Sequence, residues 1–233
     1  IVLIFTGTAP INLSQFDKYT NIKAFLLEYG AGQHHGYAMA NIIFGKTNPS
    51  GKLNDSLVSE YTDNPVYKNF GYTSYKDKGY SYDGNISKYG ARKFSENDPM
   101  LAYEEYIYMG YRYFDTFSGN VKYPFGFGMS YSDFTFTDMN VEANASTKSI
   151  TVSAKINNVS ESCDIPGKEV MQVYVSKPQG KLEQAYQNLV DFDKTKALAK
   201  GESETLSVDI PIKELASYDE EKAAYVLESG EYI

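Results

Sequence analysis

The spacing of apolar residues changes once along this chain, near residue 131, and that change limits the possible folds. Before it, continuous apolar runs at residues 1–5 and 22–29 precede a helical pattern at residues 37–44. After it, apolar and polar residues alternate, as in residues 150–156. Continuous apolar strands separated by helices are typical of parallel α/β sheets, whereas strict alternation is typical of half-buried antiparallel strands. The chain is therefore predicted to contain two domains of different class.

The predicted fold class is α/β followed by all-β. Residues 1–70 are expected to be the C-terminal part of an α/β sandwich domain built on a parallel sheet. Residues 131–233 are expected to form an antiparallel β-sandwich. Residues 71–130 are expected to contain a long irregular insertion at 71–100, followed by an aromatic connector between the domains.

The connector combines many aromatic residues with glycines. It reads Gly110-Tyr111-Arg112-Tyr113-Phe114-Asp115 and, after a short polar turn, continues as Tyr123-Pro124-Phe125-Gly126-Phe127-Gly128-Met129-Ser130-Tyr131. Large aromatic side chains are normally packed against another surface, and glycine permits a close approach of the backbone. The connector is therefore predicted to be the seam between the two domains.

Two separate stretches carry a resemblance to a known family. The first contains Tyr29, Gly32-Gln33 and Gly36 and ends in Asn48-Pro49-Ser50-Gly51-Lys52-Leu53. The second is the connector, extended to residues 105–134. In this order they resemble glycoside hydrolase family 3, which consists mostly of β-glucosidases and β-xylosidases. The chain departs from the family pattern at Asn41, where an aspartate is usual, and at Gln187-Asn188, where a lysine-glutamate pair is usual.

The resemblance implies a retaining β-glycosidase that hydrolyses terminal non-reducing β-D-glucosyl or β-xylosyl residues. It implies a fibronectin type III-like domain at 131–233. The nucleophile of the family is an aspartate on a barrel domain, and its acid/base glutamate lies in an upstream loop; neither motif is found in this chain. We therefore expect no catalytic residue here, an inactive isolated chain, and two partners: the missing barrel domain and a β-glucoside or oligosaccharide substrate.

Glu104, Tyr111 and Arg112 are the candidate substrate-pocket or seam residues. The neighbouring pair Glu104-Glu105 is not expected to be catalytic, because adjacent side chains on a strand point to opposite faces and cannot share one sugar. Glu104 and Arg112 are expected on one strand face. A buried arginine needs a partner, and Asp115 or a carboxylate elsewhere is an alternative to Glu104. A structural ion pair at the seam is favoured over a substrate contact.

No cofactor or metal is predicted. The adjacent pair His34-His35 lacks further histidines that would complete a ligand set. The glycine pattern at residues 30–36 is too long for a dinucleotide fingerprint. The net charge of -8 argues against nucleic acids and anionic membrane surfaces as partners. No apolar run approaches the ~18 residues of a membrane span.

A non-catalytic function is the alternative. The chain contains 22 tyrosines and no tryptophan. Tyrosine rings pack against the apolar faces of sugars, so exposed tyrosines at 72–113 would suit a carbohydrate-binding or cell-surface interaction module. Packing at the seam is the other interpretation of these tyrosines. Both ends resemble cuts in a longer polypeptide, so no compartment is predicted.

Overall fold

The computed structural model describes residues 1–7, 11–68, 70–74, 99–101, 103–117 and 119–233. The strands in chain order are β1 Val2–Thr6, β2 Ala24–Glu28, β3 Leu57–Val58, β4 Phe70–Ser74, β5 Pro99–Leu101, β6 Val121–Tyr123, β7 Phe134–Asn144, β8 Ser149–Asn158, β9 Val170–Val175, β10 Asn188–Lys194, β11 Ser203–Pro211, β12 Ser217–Asp219 and β13 Ala224–Val226. The α-helices are α1 His35–Ile43 and α2 Tyr111–Phe117. Within the described residues, neither helix is long and apolar enough to cross a membrane.

The first domain begins with a parallel pair of strands. Residues of β1 pair in register with residues of β2, starting with Val2 opposite Ala24. Beneath them, Phe16 packs between Phe5 and Phe25, with ring centroids 5.4 and 5.8 Å away. The helix α1 follows β2, as expected of an α/β unit. The prediction of a parallel sheet is confirmed.

The first domain leaves apolar side chains exposed. The continuous run at residues 1–5 predicts burial on both faces, yet Val2 and Ile4 are 43% and 40% exposed. On α1 and just beyond it, Tyr37 and Phe44 are 75% and 78% exposed. Within the described part of the chain, other residues cover each of these side chains only in part. Burial on both faces is therefore wrong for the described chain.

The second domain is an antiparallel β-sandwich. One sheet has the strand order β11-β8-β7, and β9 pairs with β10 in the other. Along β8 the side chains of Ala154 and Ile156 point into the core, and the intervening residues do not, as the alternation predicts. The buried core residues are Ala154, Ile156, Met171, Val175, Leu198, Leu206, Val208, Ile210 and Leu215. Each fully buried aliphatic side chain contributes roughly 1.5–3 kcal/mol to stability.

The predicted insertion at 71–100 is described only at its ends. There β4 and β5 pair antiparallel, with Phe70 opposite Leu101. Regular structure at both ends departs from the expected irregular loop. Residues 75–98 lie outside the described part of the chain.

Candidate functional site: the seam between the two domains

The two stretches that carry the family resemblance lie against each other. Backbone hydrogen bonds run from Leu53 N–H to Phe127 O, at 2.7 Å, and from Gly126 N–H to Leu53 O, at 2.8 Å. The strands that follow and precede them, β3 and β6, also pair. A side chain at Gly128 would place its Cβ 2.1 Å from the Gly51 carbonyl oxygen, so only glycine fits there. The two motifs therefore form one packed unit.

Asn48 connects this unit to the β-sandwich. Its Nδ2 donates to Ser132 Oγ, at 2.8 Å, and to Ile165 O, at 3.3 Å. Its Oδ1 accepts from Ser130 Oγ and from Tyr131 N–H, both at 2.8 Å. The residue is 8% exposed, and an amide that is buried needs such partners. One side chain thus satisfies groups in the connector and in the loop before β9.

Lys52 makes a second connection. Its Nζ lies 2.7 Å from Glu169 Oε1 and donates to Gly128 O at 2.9 Å. The two side chains are 18% and 14% exposed, so solvent screens their attraction only in part. Nearby, Gln172 Nε2 donates to Gly126 O at 3.3 Å, and Lys194 Nζ donates to Ser50 O at 2.8 Å. The seam is thus held by charged and polar contacts from both motifs.

Tyr111 is the aromatic centre of the seam. Its ring stacks on Phe125 with centroids 4.6 Å apart and meets Tyr174 edge-on at 6.0 Å. Its hydroxyl oxygen accepts a hydrogen bond from Leu189 N–H at 2.8 Å. Burial raises the pKa of Tyr174 to about 12, with smaller contributions from Tyr111 and Asp115. The candidate residue Tyr111 therefore packs between the two domains.

The structure corrects the prediction for Arg112. Residues Tyr111–Phe117 form the helix α2, and Glu104 lies in a turn before it, so the two residues share no strand face. Glu104 and Arg112 form no ion pair with each other in the described chain. The aromatic run resembles a strand in sequence. In the structure the chain instead turns into α2 at Gly110, whose φ is +58°, and the helix buries Phe114. The guanidinium of Arg112 instead lies 5.5 Å from the ring centre of Tyr111.

The other end of α2 is tied to the segment before β10. Gln187 Nε2 donates to Asp115 Oδ2 at 2.9 Å, and Tyr186 N–H donates to Thr116 Oγ1 at 3.0 Å. Gln187 stands where the family resemblance has a charged pair. The sequence does not predict the contact of Gln187 with Asp115. The one signal in the sequence is that Gln187 replaces a residue of the charged pair that is usual in the family.

The adjacent histidines make separate contacts. His35 Nδ1 lies 3.0 Å from Oε1 of Glu28, a carboxylate that is 5% exposed at the end of β2. The ring of His34 packs at 6.1 Å from Tyr37. No group of three or more His, Cys, Asp or Glu side chains within the described ranges could hold a metal ion.

Comparisons with known proteins match both domains. A model of the glycosyl hydrolase family 3 C-terminal domain matches residues 1–131, and one of a fibronectin type III-like domain matches residues 169–233. Over the whole chain, beta-glucosidase A of Butyrivibrio fibrisolvens is 34% identical, and an exo-alpha-(1->6)-L-arabinopyranosidase of Bifidobacterium longum is 31% identical. The chain spans 27% of the length of each of these relatives.

A solved structure has a similar fold over nearly the whole chain. Beta-glucosidase 3B from Thermotoga neapolitana in complex with glucose superimposes with a TM-score of 0.79 at 32% identity. The match covers 99% of this chain and 28% of that one. The chain therefore belongs to glycosyl hydrolase family 3 and joins the C-terminal α/β domain of that family to a fibronectin type III-like domain.

Proposed function

We propose that this chain is the scaffold of a retaining β-glycosidase that removes terminal non-reducing β-D-glucosyl or β-xylosyl residues. The nucleophile and the acid/base are supplied from outside this chain. One observation carries the proposal: the motifs that mark the family contact each other and the β-sandwich, through Asn48 and Lys52 above all. In this proposal the contacts at the seam fix the position of the α/β domain, residues 1–70, relative to the β-sandwich, residues 131–233. The connector at 71–130 joins the two domains.

The carboxylates at the seam support a structural role. A retaining glycosidase needs two carboxyl groups about 5–5.5 Å apart on either side of the glycosidic bond. Glu169 is paired with Lys52, and Asp115 accepts a hydrogen bond from Gln187. A carboxylate held in such a contact is oriented towards its partner in the seam. These acids therefore fix the seam, and the chemistry belongs to other residues.

The exposed apolar side of the first domain supports a partner for this chain. Val2 and Ile4 on β1, and Tyr37 and Phe44 near α1, are each exposed in the described structure. Exposed apolar surface of this kind is a mark of an interface. The relatives are far longer than this chain, which spans 27% of beta-glucosidase A. We assign this surface to contact with the barrel domain and the rest of the α/β sandwich.

The choice of sugar is assigned to residues outside this chain. The two relatives named above differ in the sugar that their names give, yet both match the whole chain at similar identity, 34% and 31%. A scaffold shared by enzymes of different specificity contributes little to discrimination between sugars. A glucoside is favoured as substrate because three similar proteins, at 34%, 32% and 29% identity, are named beta-glucosidases.

A carbohydrate-binding or cell-surface module is the second candidate. It is favoured by Tyr103 and Tyr106, which are 73% and 56% exposed. Against it, Tyr108 packs on Phe117 at 4.7 Å and Tyr111 packs on Phe125, so these rings are already engaged within the protein. A glycan array probed with the chain separates the two candidates, because a scaffold without its barrel retains no neutral glycan.

A chromogenic β-glucoside assay tests the scaffold proposal. We expect no release of p-nitrophenol by the 233-residue chain alone. We expect turnover when the same chain is joined to a family 3 segment that carries the barrel. Turnover by the chain alone that disappears in E104Q or E105Q would contradict the proposal, because the reacting carboxylates would then lie within this sequence.

A further inference from the structure

A cleft of about 550 Å³ lies between the turn before α2 and the β-sandwich. Its lining residues come from the segments 106–112, 177–188 and 216–218. Pockets for small ligands typically measure roughly 300–1,000 Å³, so this cleft is large enough for a molecule of monosaccharide size. It is separate from the Asn48 and Lys52 contacts of the seam.

The cleft is positively charged although the protein is acidic. Arg112, Lys177 and Lys181 line it together with one carboxylate, Glu183. That carboxylate already accepts a hydrogen bond from the hydroxyl of Tyr108 at 2.8 Å. The chain as a whole has a net charge of -8, so a local excess of positive charge is not a consequence of overall composition. Such an excess attracts anions into the cleft.

The two inner cations have hydrogen-bonding capacity left over. Arg112 Nε is buried and has no hydrogen-bond partner among the described residues. Lys177 Nζ donates to Ala216 O at 3.0 Å and to Ser217 Oγ at 3.1 Å, and both acceptors are neutral. Burial lowers the pKa of Lys177, and the charge of Arg112 lowers it further. Burying cations without a counter-charge is unfavourable, and an oxyanion between them would offset that cost.

We propose that this cleft binds a small organic oxyanion whose carboxylate or phosphate group lies between Arg112 and Lys177. An oxyanion accepts hydrogen bonds from the guanidinium of Arg112 and from the remaining ammonium proton of Lys177 at the same time. A neutral ligand would form weaker hydrogen bonds with these two cations. Tyr106 and Tyr218 line the same cleft and are 56% and 48% exposed. Their rings offer an apolar surface to the body of the ligand, such as the ring of a sugar acid or sugar phosphate.

Calorimetric titration of the complete chain tests this site without any turnover, so its result is independent of the proposed hydrolase function. The probes are inorganic phosphate and glucuronate, with glucose as the uncharged match to glucuronate, all at one ionic strength. We expect saturable binding of both anions and none of glucose. If phosphate binds as tightly as glucuronate, the cleft recognises the anionic group alone. If glucuronate binds more tightly than phosphate, the tyrosine rings also contribute to affinity. Either result supports the proposal.

Variants locate the binding. We expect R112Q and K177Q each to weaken glucuronate binding about tenfold or more, because each removes one charged donor. Lys213 lies outside the cleft with its side chain 80% exposed, so K213Q serves as the control for a lost positive charge. Circular dichroism checks that each variant is folded. If R112Q does not fold, the binding result of K177Q decides the test. The proposal is overturned if neither anion binds saturably, if glucose binds as well as glucuronate, or if K213Q weakens binding as much as K177Q.

Discussion

Replacing Asn48 with alanine tests the seam most sharply, because one side chain there satisfies several groups in both domains. The substitution removes hydrogen bonds to Ser130, Tyr131, Ser132 and Ile165. Ser130 Oγ can rotate to another acceptor, and Ser132 Oγ still donates to Ile165 O at 3.3 Å, whereas the Tyr131 N–H is fixed in a partly buried position. A partly buried donor left without an acceptor costs about 1–3 kcal/mol, and each further lost hydrogen bond costs about 1 kcal/mol. We therefore expect N48A to lower the free energy of unfolding by about 3 kcal/mol.

Urea unfolding followed by far-UV circular dichroism measures this loss. For a chain of this size, about 3 kcal/mol corresponds to a fall in Tm of about 6–12 °C. The matched control is N140A, because Asn140 is an exposed asparagine whose Nδ2 donates to Glu142 at 2.9 Å. Exposed substitutions of this type usually change stability by less than about 0.5 kcal/mol. A loss in N48A no larger than that in N140A would refute the role given to Asn48.

Three further predictions concern the same seam. K52M is expected to lower the free energy of unfolding by about 2 kcal/mol in urea titrations, since it leaves the half-buried Glu169 without its cation. G128A is expected to destabilise by about 2 kcal/mol or more, because its Cβ would meet a backbone oxygen, whereas G51A, with open space around it, is the near-neutral control. The pKa of Tyr174 is raised from 10.0 to about 12, so the unfolded chain loses this proton first as pH rises. Its contribution is therefore complete below pH 10 and is lost towards pH 12, and the urea midpoint of wild type is expected to fall relative to that of Y174F over this window.

Local signals in the sequence were sufficient for much of the fold. The alternating run at 150–156 lies within β8, and the apolar runs at 1–5 and 22–29 contain most of β1 and all of β2. The helix α1 begins slightly earlier than predicted and ends at Ile43, two residues before Gly45, whose φ of +66° suits the position after a helix C-cap. These elements were predictable because strand alternation and helix ends depend on residues that are neighbours in the sequence.

Contacts between distant residues were not predictable in the same way. The helix α2 was missed because aromatic residues at successive positions favour a strand locally, and burial of Phe114 decides otherwise. Asn48 was recognised as part of a motif, but its partner Ile165 lies 117 residues away. The cleft around Arg112 and Lys177 joins segments that carry no shared motif. Such sites follow from the tertiary arrangement, which one sequence does not specify by pattern alone.

Trapping of the glycosyl-enzyme intermediate is the most direct test of the claim that the reacting carboxylates lie outside this chain. A 2-deoxy-2-fluoro-β-glucosyl fluoride forms a slowly hydrolysed ester with the nucleophile of a retaining enzyme. Peptide mass spectrometry of an active preparation that contains this chain then locates the modified residue. We expect the label on an aspartate outside the 233 residues of this chain. A label on any aspartate or glutamate within them would contradict the claim.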